Sequence, residues 1–266
     1  MKRKWLMVAC CLAALSLPGW AGEAEWASYY ADGVEALKRT DIPRALQKLE
    51  MAAREAEASF GRKDPRLAVT LMLQARALEM LDRHREAERL LVRAVTILEA
   101  VQGSDHPDVA AGLAKLAHSY LSQGRAAEAE PLLKRALAID ERSFGFEHPK
   151  VASSLNNLAG LFRDQGRYAE AEPLFKRSLT IWEKTLGPEH LDVATGLNNL
   201  AALYFSQDRY NEAEPLLKRS LAIREKALGP EHPQVATSLN NLAKLYRAQG
   251  RNSEAEALLK KPAAGR

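Results

Sequence analysis

Along residues 186–227, apolar side chains fall at Val193, Leu197, Leu200, Ala201 and Tyr204, a spacing of i, i+4, i+7, i+8 and i+11. That spacing draws one face of an α-helix. Gln207-Asp208-Arg209 interrupts it, and a second stripe follows at Ala213, Leu216, Leu217, Ser220, Leu221 and Ile223. Pro215 sits near the first turn of this second helix, where a missing N–H costs least. Gly229-Pro230 then stops the helix. The stretch predicts two antiparallel helices joined by a tight turn.

The same pattern recurs every 42 residues. Gly-Pro-Glu-His begins at Gly187 and Gly229, Gly-Phe-Glu-His at Gly145 and Gly-Ser-Asp-His at Gly103. The copies starting at 144 and 186 are identical at 26 of 42 positions. Where one turn has Asp208, its sisters have Gly124, Gly166 and Gly250. Glycine tolerates the left-handed conformation that ends a helix, and aspartate is one of the few others that can. Small residues recur where the two helices must touch: Ala201 with Ala213, Ala159 with Ala171, Ala117 with Ala129, and Ala243 with Ala255. Counting in steps of 42 gives five copies, 60–101, 102–143, 144–185, 186–227 and 228–262. A degenerate hairpin over 22–59 precedes them, with a stripe at Trp26, Tyr30, Val34 and Leu37 and a second helix starting at Ile42-Pro43. A period in this range means stacked helical units, capped by atypical terminal copies. The last copy has a shortened second helix, so its hairpin is expected to be the least stable. Residues 262–266 form a polar tail.

Residues 1–21 are excluded from the fold. Met1-Lys2-Arg3-Lys4 is a basic start, Trp5 to Leu17 a short apolar run, and Gly19-Trp20-Ala21 a small-x-small cleavage site. This is the pattern of a secretory signal peptide, with cleavage expected after Ala21 and the product in the periplasm or secreted. A lipoprotein signal ending at Cys10 or Cys11 would leave only about five apolar residues before the cysteine, against the 7–15 such a leader carries. Removal of the leader takes away both cysteines, so packing alone must stabilise the exported chain. Of the net charge of +4, Lys2, Arg3 and Lys4 supply +3, leaving +1. That balance argues against a nucleic-acid binder. No second apolar stretch is long enough to cross a bilayer.

The order Leu197, Ala201, Tyr204, Ala213, Leu217, Ser220 follows the large–small–Tyr–Ala–large–small order of the tetratricopeptide pattern. The wording Leu-Asn-Asn-Leu-Ala…Gln-Gly-Arg-Tyr-x-Glu-Ala-Glu-Pro-Leu closely resembles the 42-residue tetratricopeptide repeats of kinesin light chains and their bacterial relatives. The resemblance covers about residues 60–261. It implies an all-α fold, a right-handed α-solenoid of stacked antiparallel helical hairpins. It also implies that the first helix of each hairpin lines a concave groove that binds peptides or protein surfaces. A kinesin motor role is not implied, because a motor subunit carries no export signal.

Carried onto this chain, the groove includes Thr195, Asn198, Asn199, Ala202, Phe205 and Ser206, with Asn156, Asn157, Asn240 and Asn241 at the repeated asparagine positions. An asparagine amide offers donors and an acceptor together, so a ladder of them can hold a peptide backbone of any sequence. The other reading is that one asparagine of each pair hydrogen-bonds a neighbouring helix. The 102 copy has Ala114 and Lys115 at these positions and the 60 copy Met72 and Leu73, which confines the ladder to the C-terminal half. Lys115, Arg163, Lys244 and Arg247 share the same faces, against a single acid, Asp164. The partner expected is therefore a protein or peptide with an acidic side chain or a free carboxylate, unless these charges are merely solvated.

Repeated features that look catalytic have simpler accounts. His106, His148, His190 and His232 recur one repeat apart, about a helix spacing or more, too far to share a metal ion. Placed before a helix, mostly ahead of Pro, they mark helix starts. The Glu-Ala-Glu triplets place carboxylates at i and i+2, which do not face each other on a helix, and they favour the helix macrodipole. No nucleophile elbow, zinc-protease, phosphate-loop or dinucleotide motif occurs, so no enzyme, metal or cofactor is expected. Two functions follow: an exported, non-catalytic scaffold or adaptor, or a regulatory or substrate-recruiting module for a separately encoded enzyme such as a protease. The sequence leaves the oligomeric state open.

Overall fold

The computed structural model describes residues 21–260, which form twelve helices and no strand. The helices are α1 (Ala21–Lys38), α2 (Ile42–Phe60), α3 (Pro65–Glu79), α4 (His84–Gln102), α5 (Pro107–Ser122), α6 (Ala126–Phe144), α7 (Pro149–Asp164), α8 (Tyr168–Leu186), α9 (Leu191–Phe205), α10 (Tyr210–Leu228), α11 (Pro233–Ala248) and α12 (Asn252–Lys260). Apart from Ala21, the predicted leader lies outside the described residues, with both cysteines, and so does the predicted tail. No described helix is long and apolar enough to cross a membrane.

The described residues divide into two compact units, up to residue 132 and from residue 133, with the division inside α6. In the first, α1 packs on α2, α2 on α3, α3 on α4 and α4 on α5. Trp26 anchors the degenerate hairpin: its Nε1 donates to Thr70 Oγ1 at 3.0 Å, and its ring lies edge-on to Phe60. In the second unit the same nearest-neighbour packing runs from α7 through α12. Each unit is thus a stack of helical hairpins.

Helix starts and stops follow from local chemistry. The Nδ1 atoms of His106, His148, His190 and His232 accept the backbone N–H two residues on, at 3.1–3.2 Å. These histidines therefore cap α5, α7, α9 and α11. Pro107, Pro149 and Pro233 follow them at the first helical position. Asp208 turns the chain in the left-handed region at φ 56°, as its glycine sisters do, and Asp82 does the same in the 60 copy at φ 57°.

The seam alanines are wholly or almost wholly buried in all four predicted pairs. Ser178 and Ser220, also fully buried, donate to the carbonyls of Ala152 and Ala194 at 2.7 Å and tie second helix to first.

The Glu-Ala-Glu triplets prove to be connectors as well as helix-start acids. Arg209, just before α10, stacks its guanidinium on Tyr204, 4.1 Å from the ring centroid. The same group pairs with Glu212 of its own triplet at 2.7 Å and with Glu172 of the preceding triplet at 2.8 Å. Arg251 repeats this with Tyr246, Glu254 and Glu214, and Arg125 with Tyr120, Glu128 and Glu88. In the triplets at 86–88, 170–172 and 212–214 the first carboxylate serves its own repeat and the second the next. The Arg209 and Lys176 contacts hold Glu172 down at about 2, and Arg251 and Lys218 do the same for Glu214.

Candidate functional site

The asparagines lie on α7, α9 and α11, the first helices of three successive hairpins in the second unit. Asn199 Nδ2 donates to Asn156 Oδ1 at 3.0 Å, and Asn241 Nδ2 donates to Asn198 Oδ1 at 2.8 Å. The second asparagine of each later copy thus binds the first asparagine of the copy before it. The register is 43 residues, one repeat plus one residue. It would match Asn157 with position 114, an alanine, and Asn157 stays exposed.

The reading in which one asparagine of each pair hydrogen-bonds a neighbouring helix is the one these bonds show. The rungs join successive first helices, and their four residues stay partly exposed. Among the described residues, no hydrogen bond uses the Nδ2 groups of Asn156 and Asn198 or the Oδ1 atoms of Asn199 and Asn241. Each rung therefore presents a donor and an acceptor side by side, the complement of one peptide unit. Asn240 is exposed and also has no hydrogen bond among the described residues.

The predicted cations are disposed unevenly. Arg163 is tied to Asp164, with Nη2–Oδ1 at 2.8 Å, so the single acid counted on this face cancels it. Lys244, on α11, is exposed and holds its Nζ 5.0 Å from the centroid of the Phe205 ring on α9. Phe205 is half-buried and also tilts against Tyr210, 5.4 Å between centroids. Arg247 is exposed on α11; the Glu256 carboxyl nearby is lowered chiefly by Lys260 and only slightly by Arg247. Lys115 is exposed on α5, in the first unit. Of the predicted groove cations, Lys244 and Arg247 are the two in the second unit without a salt bridge among the described residues.

Buried chemistry that the sequence reading passed over lies at the seams between hairpins. Asp140 accepts from Ser154 Oγ at 2.5 Å, and Arg224 Nη1 donates to Ser238 Oγ at 2.6 Å, with all four residues buried. Burial pushes the Asp140 carboxyl up and the Arg224 guanidinium down. The signal was a spacing of 14 residues between a second helix and the following first helix, masked because the paired chemistry changes in every copy. Among the described residues no group of three or more His, Cys, Asp or Glu could hold a metal ion.

A tetratricopeptide repeat model matches residues 81–142, 108–184, 150–226 and 192–261. Among solved structures, the nearly identical TPR-like repeats of a putative kinesin light chain from Podosopora anserina are 32% identical. That match covers 74% of this chain and 93% of the other at a TM-score of 0.62. BtubC (BKLC) from P. vanneervenii is 27% identical over 92% of this chain and 90% of the other, at 0.66. A Rap protein complexed with competence and sporulation factor is 17% identical over 91% and 77%, at 0.65, a likeness of fold alone. No curated protein matches the chain. The repeat period, the hairpin stacks and these matches agree that the chain belongs to the tetratricopeptide repeat family, with repeats like those of kinesin light chains.

Proposed function

We propose that this protein is an exported, non-catalytic scaffold that holds an extended peptide or a protein segment on the asparagine-lined face of α7, α9 and α11. The tetratricopeptide fold is that of a protein-interaction scaffold. The observation that carries the finer reading is the pair of asparagine rungs, each with an unused donor beside an unused acceptor. Such a pair reads the backbone of a ligand, and affinity then follows from several weak bonds rather than one pocket. Lys244 and Arg247 add a preference for an acidic side chain or a terminal carboxylate. The solved Rap complex with competence and sporulation factor shows a protein of this fold holding a partner. The basic-apolar-small pattern of residues 1–21 supports export.

The test is titration of fluorescent acidic, neutral and basic peptide pools at low and physiological salt. Acidic peptides should bind most tightly and lose most affinity when salt is raised. Asn156→Ala combined with Asn198→Ala should weaken all pools by roughly ten- to thirtyfold, the loss of two backbone hydrogen bonds. Lys244→Ala with Arg247→Ala should instead remove only the acidic preference. Binding that is indifferent to the asparagines would refute the backbone-reading role. Equal binding of acidic and basic pools would refute the charge preference.

A further inference from the structure

A cleft of about 640 Å³ lies in the first unit, between α2, the α2–α3 connection and α4. Its walls belong to second helices and a connecting loop, not to the first helices that carry the asparagines. In two later copies an ion pair spans the equivalent positions. Lys184 reaches Glu147 at 2.5 Å in the 144 copy, and Lys226 reaches Glu189 at 2.8 Å in the 186 copy. There the loop supplies the acid and the second helix the base. The 102 copy has the same two charges, Asp105 and Arg142, at those positions.

The 60 copy breaks this rule at both positions. Its loop residue is Lys63 and its helix residue is Ala100. The sign of the loop charge is inverted, and the arm that would reach it has gone. Arg62 adds a second cation beside Lys63, where later copies have Ser104, Phe146 and Pro188. Arg93 enters from α4, but its pairing with Glu57 at 2.8 Å recurs as Arg177–Glu141 and Arg219–Glu183 and belongs to the ordinary framework. Glu57 also takes Arg62 at 2.8 Å, so one carboxylate faces three cations. The cleft carries a net +2, and no ion pair holds Lys63 among the described residues. Ile97, Ala100 and the Thr96 side chain give it a largely apolar floor.

We infer that this cleft binds a small organic phosphomonoester. A phosphomonoester brings a charge of roughly −1.5 to −2 at neutral pH, which matches the excess of two cations. Arginine forks suit its oxygens, and Lys63 adds a point charge. The volume falls in the range of small-molecule sites, larger than a bare phosphate needs, and the apolar floor suits an organic body. A single carboxylate would balance only half of the charge. The vacancy created by Ala100 is where the organic body rests, and the missing loop acid is what the phosphate replaces.

Phenyl phosphate is the probe, titrated into the full chain by calorimetry at low salt. Inorganic phosphate tests the head without the body, and benzoate tests the body with a single charge. Phenyl phosphate should saturate and bind at least about tenfold more tightly than either, one charge-assisted contact or its equivalent in apolar burial. Lys63→Glu combined with Ala100→Lys installs the ion pair of the later copies and should weaken phenyl phosphate at least tenfold, with the circular dichroism melt retained. Lys63→Ala, a change on an exposed loop, should weaken it severalfold and keeps the test decisive if the double variant does not fold. Absence of saturable binding, or binding unchanged by Lys63→Ala, would overturn the site. Benzoate binding as tightly as phenyl phosphate would overturn the dianion, and inorganic phosphate binding as tightly would overturn the organic body.

Discussion

Two equivalent seams in the second unit are built from opposite chemistry. Between α8 and α9, Trp182 packs over Gly196, and a Cβ on that glycine would stand 3.1 Å from Trp182 Cζ3 and 3.2 Å from Cε3. Val151, Leu155, Val193, Leu197 and Ile223 complete the apolar cluster around them. Between α10 and α11 the same two repeat positions hold Arg224 and Ser238. There a buried guanidinium donates one bond to a hydroxyl, and its Nε finds no partner. At these two positions the seams hold Trp with Gly, Arg with Ser, Asp140 with Ser154 and, in the first unit, Leu98 with Gly112. The repeat backbone thus accepts fillings that differ in both size and chemistry. The energy of the filling differs greatly, because a buried cation without a counter-ion keeps most of its desolvation penalty.

The largest effect expected from this comparison is loss of the tryptophan. Trp182→Ala leaves a void against Gly196, which has no side chain to fill it, and should lower stability by about 3–5 kcal/mol. Arg224→Ala, at the equivalent position, removes a polar group that was poorly satisfied and should lower it far less. Urea denaturation of both variants, read at the midpoint, decides the matter. Equal losses at the two positions would mean that the seams do not differ in the way their chemistry indicates.

The hairpins, the turn at Asp208, the alanine seams and the helix starts were legible in the sequence because each rests on residues within one repeat. Asp208 needed only its glycine sisters to reveal a left-handed turn, and Ala201 and Ala213 only their recurrence. The function of the second glutamate at Glu88, Glu172 and Glu214 was not legible, because its partner lies 37 residues away in the next copy, as in Glu172 with Arg209. The asparagine rungs were half legible. Composition gave the amides, but the 43-residue register that pairs Asn199 with Asn156 depends on how far successive first helices are shifted along their axes. Arg224 was hidden most deeply, since in sequence it looks like an ordinary charge on a helix and only packing buries it.

A smaller gain follows from moving the apolar solution into the polar seam. Arg224→Leu with Ser238→Gly installs the pair that Leu98 and Gly112 form in the first unit. Removal of an uncompensated buried cation should raise stability by about 1–2 kcal/mol, after subtraction of the helix penalty for glycine. The two single variants serve as a double-mutant cycle. Arg224→Leu alone should realise less of the gain, because the Ser238 hydroxyl is then left facing a leucine. A double variant that is less stable than the wild type would show that Arg224 is satisfied after all.

The smallest effect uses pH to strip the connectors that flank both seams. Glu172 and Glu214 have folded values of about 2, below the ordinary carboxylate value of 4.5. Their stabilisation is therefore fully present above pH 4.5 and is lost as the pH falls from there toward 2. Asp140 works in the opposite sense: burial raises its carboxyl above the ordinary 3.8, so acid relieves it and offsets part of the loss. These partly exposed connectors should contribute about 1 kcal/mol or less each. Glu172→Gln should flatten the stability profile between pH 4.5 and 2 while leaving the contrast between the two seams intact, since Glu172 spans α8 to α10 and does not touch Trp182 or Arg224. Urea midpoints at pH 6 and pH 3, measured for the wild type and for Glu172→Gln, give both slopes. If the variant keeps the full acid slope of the wild type, the Glu172–Arg209 pair contributes nothing to holding adjacent hairpins together.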